Sequence, residues 1–182
     1  MKDLSSHIMD IAQNSVRAEA NKIEISIQED IQKDILSIVI IDNGSGMDEE
    51  TLKRVSDPFF TSRTVRKVGL GIPLLKQNAE RTEGSFTITS KKGEGTTVNV
   101  LFKFSHLDRP PMGDIAETIA LLASANPDIH LIYKHTTNDG QYIFDTEEVK
   151  KILDGVPINM PEIVLALMDM IRGELKELGM RS

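Results

Sequence analysis

The chain contains no cysteine, which excludes disulfide bridges and thiolate metal sites and is the habit of a reducing compartment. It has no run near the roughly 18 apolar residues that a membrane span requires. Its first residues, Met1-Lys-Asp-Leu-Ser-Ser-His7, lack the apolar segment of a signal peptide. Positive charge is in deficit: 21 Lys and Arg face 28 Asp and Glu, a formal charge of −7. That balance argues against a broad nucleic-acid-binding surface. No internal repeat is present. What remains is an acidic chain expected in the cytoplasm, of 182 residues with 40% apolar side chains. That is enough to bury the core of one domain, with or without a small appendage.

Hydrophobic periodicity predicts a helix over residues 3–20. Leu4, Ile8, Ile11, Ala12 and Val16 fall on one side of it, and His7, Asp10, Asn14 and Arg17 on the other. Lys22–Gln28 alternates isoleucine with polar residues and reads as a half-buried strand, and Ile35–Ile41 as a more buried one. A short helix at Asp48–Val55, a helix at Leu70–Arg81 and a strand pair at Ser85–Ser90 and Thr96–Phe104 follow. Beyond Arg109-Pro110-Pro111 the order is helix (Ile115–Ala123), strands (Ile129–His135, Gln141–Phe144), helix (Glu147–Leu153) and a long helix from Pro161. Residues 1–104 carry 14 basic and 15 acidic side chains, and residues 105–182 carry 7 and 13, so the appendage is the acidic part. This predicts domain 1–104, linker 105–111 and a C-terminal αββαα extension 112–182.

Several clusters could carry chemistry. Asp10 and Asn14, four apart, share a helix face. A carboxylate can accept a proton from water, and an asparagine carbonyl is a neutral, hard ligand for Mg²⁺. Arg17, one turn on, could reach a phosphate oxygen. An isolated pair of this kind more often marks a solvated helix face. Asp42, where a strand stops, begins Asp42-Asn-Gly44-Ser-Gly46. Its carboxylate could accept from the exocyclic amine of adenine, with glycines allowing close approach, and the other reading is a plain turn. Thr61, Ser62, Arg63, Arg66 and Lys67 could close over phosphates ahead of Gly69-Leu-Gly71, whose backbone N–H groups could face an anion. The same residues also suit a basic surface loop. Gly93-Glu-Gly95-Thr96 is a common hairpin turn, or it places the Thr96 hydroxyl beside Asp42. His130 and His135 stand apart from other ligand types and read as packing or surface residues. His7 shares the Asp10–Asn14 face.

Taken in order, these segments resemble the GHKL ATPases, the superfamily of DNA gyrase, heat-shock chaperone ATPases, histidine kinases and mismatch-repair ATPases. Their N, G1, F, G2 and G3 motifs match over about residues 1–104. Pro58-Phe-Phe-Thr-Ser, Gly69-Leu-Gly71-Ile-Pro-Leu-Leu-Lys76 and Gly84-Ser-Phe-Thr-Ile-Thr-Ser are most similar to histidine-kinase catalytic domains. The resemblance implies an α+β fold, a two-layer sandwich with helices on one face of a mixed, mostly antiparallel sheet. It implies ATP and Mg²⁺ as cofactors, with Asn14 holding the metal and Asp10 as catalytic base. Arg17, Asp42, Gly44, Gly46, Met47, Thr61, Ser62, Arg63, Arg66, Lys67, Gly69, Leu70, Gly71 and Thr96 would contact nucleotide. Hydrolytic members usually carry Glu at the position of Asp10, one methylene longer, and the segment between Phe60 and Gly69 is short.

The function expected is a Mg-ATP-binding, histidine-kinase-like ATPase or protein kinase without a phosphoacceptor domain of its own, acting on a separate protein partner in signalling or regulation. The alternative is a nucleotide-gated binding switch, similar to the anti-sigma-factor kinases, with little turnover. Nucleic acid and membrane are not expected partners. A homodimer could use the apolar helix after Pro161.

Ser105-His106-Leu-Asp-Arg109-Pro-Pro111 faintly resembles the phosphoacceptor box of histidine kinases. The kinases hold that box inside a helix, whereas consecutive prolines forbid one here. Incubation with Mg-ATP is expected to place no acid-labile phosphate on His106. A labelled band that survives alkali, is lost in acid and disappears in His106→Gln would show the opposite.

Overall fold

The computed structural model describes residues 3–55 and 71–180. Helix α1 (Leu4–Arg17) opens the chain. Its N-cap, Asp3, accepts a hydrogen bond from the Ser6 N–H at 2.8 Å, satisfying one of the helix's orphan donors. Strands β1 (Lys22–Asp30) and β2 (Ile35–Asp42) follow, then α2 (Glu49–Val55), α3 (Gly71–Arg81), β3 (Ser85–Lys91) and β4 (Gly95–Lys103). The C-terminal part adds α4 (Ile115–Ala125), β5 (His130–Thr137), β6 (Gly140–Asp145), α5 (Thr146–Leu153) and α6 (Pro161–Glu177). Each element falls within a few residues of its expected place. Asp114 caps α4, accepting from the Glu117 N–H, and His106 lies past the end of β4.

All six strands form one sheet in the order β3-β4-β2-β1-β5-β6. Every pair is antiparallel except β1/β5. This is the expected α+β sandwich, with a mixed, mostly antiparallel sheet. Alternation sets its two faces: Ile23, Ile25 and Ile27 of β1 pair with Ile40 and Ile38 of β2 and with Leu131, Tyr133 and His135 of β5, and all are buried. Val98, Val100 and Phe102 of β4 continue that face beneath the helices. Ile35, Ile41, Leu101 and Ile143 lie on the opposite face and are exposed.

The strands of the extension therefore enlarge the same sheet, and α4 packs on α1 and α6. The segment before α4 also reaches α1, where Leu4 and Ser5 donate their N–H groups to the carbonyls of Pro111 and Met112. α6 buries Leu167, Met168, Ile171 and Leu175 and leaves Leu165 and Met170 exposed. Among the described residues no helix is long and apolar enough to cross a membrane.

Burial sets one polar chain apart. His135 Nε2 lies 2.8 Å from Glu29 Oε1 and its Nδ1 lies 2.6 Å from the Tyr133 hydroxyl, with all three residues no more than 1% exposed. This chain ties β1 to β5, so of the packing and surface roles expected of His135 it has the first. Removing one member of a buried, charge-bearing network strands the others. His135→Leu should lower unfolding stability by about 3 kcal/mol, read from urea titration. A change below about 0.5 kcal/mol, the scale of an ordinary surface substitution, would show that the imidazole contributes nothing to holding the two strands together.

Candidate functional site

A cavity of about 740 Å³ lies between the sheet and α1. Asp10, Asn14 and Arg17 of α1 line one wall, Asp42, Gly46 and Met47 another, and Thr96 the sheet end. Ile40, Val98, Ile88, Val55 and Ile72 supply an apolar lining. An apolar slot with a few convergent polar groups is the usual form of a small-molecule site. Seven of the expected residues thus surround one space. Gly44 and Gly71 adjoin it, as shown below. Thr61, Ser62, Arg63, Arg66, Lys67, Gly69 and Leu70 lie outside the described residues.

Asp42 anchors the far end. The β2/β4 register sets it opposite Thr96, on the sheet face that carries Ile23 and Ile40, so its carboxylate turns under α1. Its Oδ1 accepts the N–H groups of Gly44 at 2.9 Å and Thr96 at 3.2 Å. Its Oδ2 accepts the Ser15 hydroxyl at 2.6 Å, a length typical of a charge-assisted bond. A carboxylate oxygen can accept two hydrogen bonds, so Oδ2 keeps capacity for a ligand's N–H. The residue is 8% exposed.

Ser15 was hidden in the sequence. It lies four residues after Ile11, on the side of α1 expected to be apolar, and a lone hydroxyl in that stripe was its only signal. Ser90 was missed too. Its Oγ accepts the Met47 N–H at 2.8 Å, donates to the Gly95 carbonyl at 2.9 Å and lies 2.9 Å from the Thr96 hydroxyl. The Thr96 side chain is therefore engaged with Ser90, while its backbone holds Asp42.

The glycines answer first to backbone packing. Gly46 has φ +62°, and a Cβ there would lie 2.0 Å from the Lys91 carbonyl oxygen. Gly95 has φ +103°, and a Cβ would lie 2.0 Å from the Asp42 carbonyl oxygen. A side chain at Gly44 would meet the Ala18 carbonyl at 2.7 Å, where Ser45 also donates its N–H. The loop after β2 is thereby clamped between the end of α1 and the β3–β4 turn.

On α1, Arg17 donates to Asn14 Oδ1. That neutral oxygen thus already holds a cation in the cavity wall, the chemistry a hard metal ion also asks of it. Asp10 has a buried Oδ2 with no hydrogen-bond partner, and Gly71 abuts it so closely that a Cβ would fall 1.7 Å from that oxygen. His7 is buried, not solvated, with Nε2 3.1 Å from Asn78 Nδ2. His130 pairs with Asp145 at 2.9 Å. Among the described residues no group of three or more His, Cys, Asp or Glu could hold a metal.

With this geometry in view, comparison with known proteins gives the family. Residues 2–106 match the family described as histidine kinase-, DNA gyrase B-, and HSP90-like ATPase, and the chain belongs to it. The "Probable C4-dicarboxylate sensor kinase" of Bacillus subtilis is 34% identical over 88 residues, 48% of this chain and 16% of that protein. The sensor histidine kinase YxdK of the same organism is 30% identical over 108 residues, 56% of this chain and 33% of its own length. The chain thus spans about a sixth to a third of these relatives' length, and its residues 2–106 form the histidine-kinase-like ATPase domain. The MutL ATPase domain of Aquifex aeolicus, complexed with ADP, superposes with a TM-score of 0.51 at 16% identity, over 85% of this chain and 70% of that one. That likeness extends to the fold.

The Asp10–Gly71 contact yields a prediction. Gly71→Ala would force the Asp10 side chain to rotate, because its oxygen is the movable partner. Helix propensity favours alanine by up to about 1 kcal/mol, so stability should hold while Asp10 changes rotamer in a crystal structure of the variant. An unmoved Asp10 would contradict this.

Proposed function

We propose that this chain binds ATP with Mg²⁺ in the cavity beneath α1 and uses it as a histidine-kinase-like ATPase or kinase in signalling, acting on a separate protein partner in the cytoplasm. One observation carries the reading: a buried carboxylate, Asp42, held by three donors, with acceptor capacity left beside an apolar slot. That arrangement suits the exocyclic amine at C6 of adenine, where guanine presents a carbonyl. The ADP bound to the MutL domain, which shares the fold, supports the same choice.

Under this reading Asn14 is the metal ligand and Arg17 moves from it to a phosphate oxygen. A bound ion would neutralise charge on the phosphates. Gly44, Gly46, Met47, Gly71 and Thr96 shape the pocket, and Thr61, Ser62, Arg63, Arg66, Lys67, Gly69 and Leu70 supply hydroxyls, cations and backbone N–H groups to the phosphates. Asp10 takes the proton of a water that attacks the γ-phosphorus as the bond to ADP breaks. In phosphotransfer a partner's side chain replaces that water, and the protein's contribution is positioning and charge. We assign the nucleotide work to residues 1–104 and partner or dimer contacts to 112–182, where Leu165 and Met170 are exposed.

A second reading, a nucleotide-gated binding switch with little turnover, draws on the Arg17–Asn14 pair, since the metal ligand must first release its guanidinium. Phosphate transfer to an added protein, or steady ATP turnover, favours the first reading. Nucleotide-dependent capture without turnover favours the second.

Calorimetry tests the nucleotide. ATP should bind more tightly than GTP, and Asp42→Ala should lose about 1.5–3 kcal/mol, a tenfold or greater weakening. Equal affinities for ATP and GTP would remove the adenine assignment.

The roles on α1 separate differently. Asn14→Ala should lose the Mg²⁺-dependent part of the affinity, and Asp10→Asn should bind normally but not turn over, since an amide takes no proton. Asp10→Asn protein as active as the parent would exclude Asp10 as the base.

A further inference from the structure

α4 and α6 form a helix pair with one seam open to solvent. Ile115 and Ala116, at the start of α4, share a hollow with Arg172, Leu175 and Lys176 from the last turns of α6. Past the other end of α4, Lys150 of α5, the helix that precedes α6, donates to the Pro127 carbonyl. The two helices pack on each other, so they run in opposite directions. One ion pair sets their register: Arg172 Nη2 lies 2.6 Å from Asp114 Oδ2. About seven residues make two helical turns. Two turns back along α6 and two turns forward along α4 therefore lead to Leu165 and Leu121, on the same seam. Leu165 is 62% exposed and Leu121 41%. One turn beyond them lie Ala125 and Pro161, also exposed. One turn short of them lie Glu117 and Asp169. Arg172 Nη1 is 3.6 Å from Asp169 Oδ1, and Glu117 adds to the field that stabilises the same cation. The seam is thus graded along its length, apolar at one end, with three carboxylates sharing one guanidinium toward the other.

Leucines exposed at matched positions on two helices make a groove of the kind that accepts a third helix, and charge selects the occupant. The helix pair and its Asp114 cap carry Asp114, Glu117, Glu162, Asp169, Glu174 and Glu177 against Arg172 and Lys176 alone. A second copy would bring the same excess of negative charge to the same place, and like charges brought together oppose association. We propose that the seam between α4 and α6 is a docking groove for an amphipathic helix of another protein. That helix lays an apolar side chain between Leu121 and Leu165 and, one turn away, a lysine or arginine between Glu117 and Asp169. A helix presents residues three or four apart on one face, so its turns match the layers of the groove. The groove rests on the reading of residues 112–182 as the part that meets a partner, and it adds that partner's charge and shape.

Two synthetic helical peptides test this. Both carry a leucine stripe, one with lysines and the other with glutamates one turn from the leucines. Fluorescence anisotropy of labelled peptide with the full chain, without nucleotide, should show saturable binding of the lysine peptide. The glutamate peptide should bind at least about tenfold more weakly. Leu165→Glu and Leu121→Glu should each weaken the lysine peptide by about tenfold or more. Ile143→Glu, on the open face of the sheet, should leave it unchanged. Glu117→Lys and Asp169→Lys together should reverse the preference, so that the glutamate peptide binds better, an outcome that misfolding does not produce. No saturable binding of the lysine peptide, equal binding by the Leu165→Glu protein, or an unreversed preference in the double variant would overturn the proposal. So would sedimentation showing a parent dimer that Leu165→Glu dissociates, since a second copy would then occupy the groove while the extension kept its contact role. Because no nucleotide is present, a failed titration leaves the ATP assignment standing, and a failed ATP assignment leaves the groove standing.

Discussion

The hydrogen bonds that converge on Asp42 hold three otherwise separate parts of the chain in one place. Ser15 brings α1, Gly44 brings the loop after β2, and Thr96 brings the start of β4. A buried carboxylate is costly unless its oxygens are satisfied, so the loop, the helix and the strand end must arrive together. Two of the glycines with positive φ follow from the same demand. Gly46 and Gly95 sit where the loop and the β3–β4 turn cross at distances that no side chain permits. The cavity is the space left between this knot and the apolar side chains of the sheet.

Much of this was legible. Asp42 was found because it ends a β-branched run and is followed by two glycines, a change of pattern that local propensity explains. Asp10 and Asn14 were found by their spacing, since a helix makes neighbours of residues four apart. What could not be read is which side each residue serves. Ser15 and His7 both stand on α1, and periodicity alone puts Ser15 with the apolar side and His7 with the polar. Both are buried, Ser15 against Asp42 and His7 against Asn78. The helix is enclosed on more of its circumference than an amphipathic pattern implies, because α3 and α4 both pack on it. Tertiary neighbours of this kind leave no local signature.

The extension shows the same limit from another direction. A drop in net charge after residue 104 and two prolines at 110 and 111 read as a boundary. Yet β5 joins β1 in parallel along seven residue pairs from Lys22 to Gln28, and Glu29, His135 and Tyr133 bury a polar chain across that seam. Strand pairing between segments more than a hundred residues apart is set by backbone edges, which composition does not describe. The edge of β1 would otherwise be an open ladder, a liability that proteins cover. Here the extension covers it.

This placement gives α1 two duties. One side faces the cavity with Asp10, Asn14 and Arg17. The N-terminal end is bonded to the backbone at Pro111 and Met112, and α4 packs against the same helix. α4 also packs on α6, whose Leu165 and Met170 are exposed. Such packing joins the two surfaces, and coupling between them requires that the packed elements have two discrete arrangements. A nucleotide that engaged Asn14 and Arg17, which line the cavity, would bear on α1 itself. By reciprocity of linked equilibria, whatever a partner does to nucleotide affinity through α4, nucleotide does to the partner.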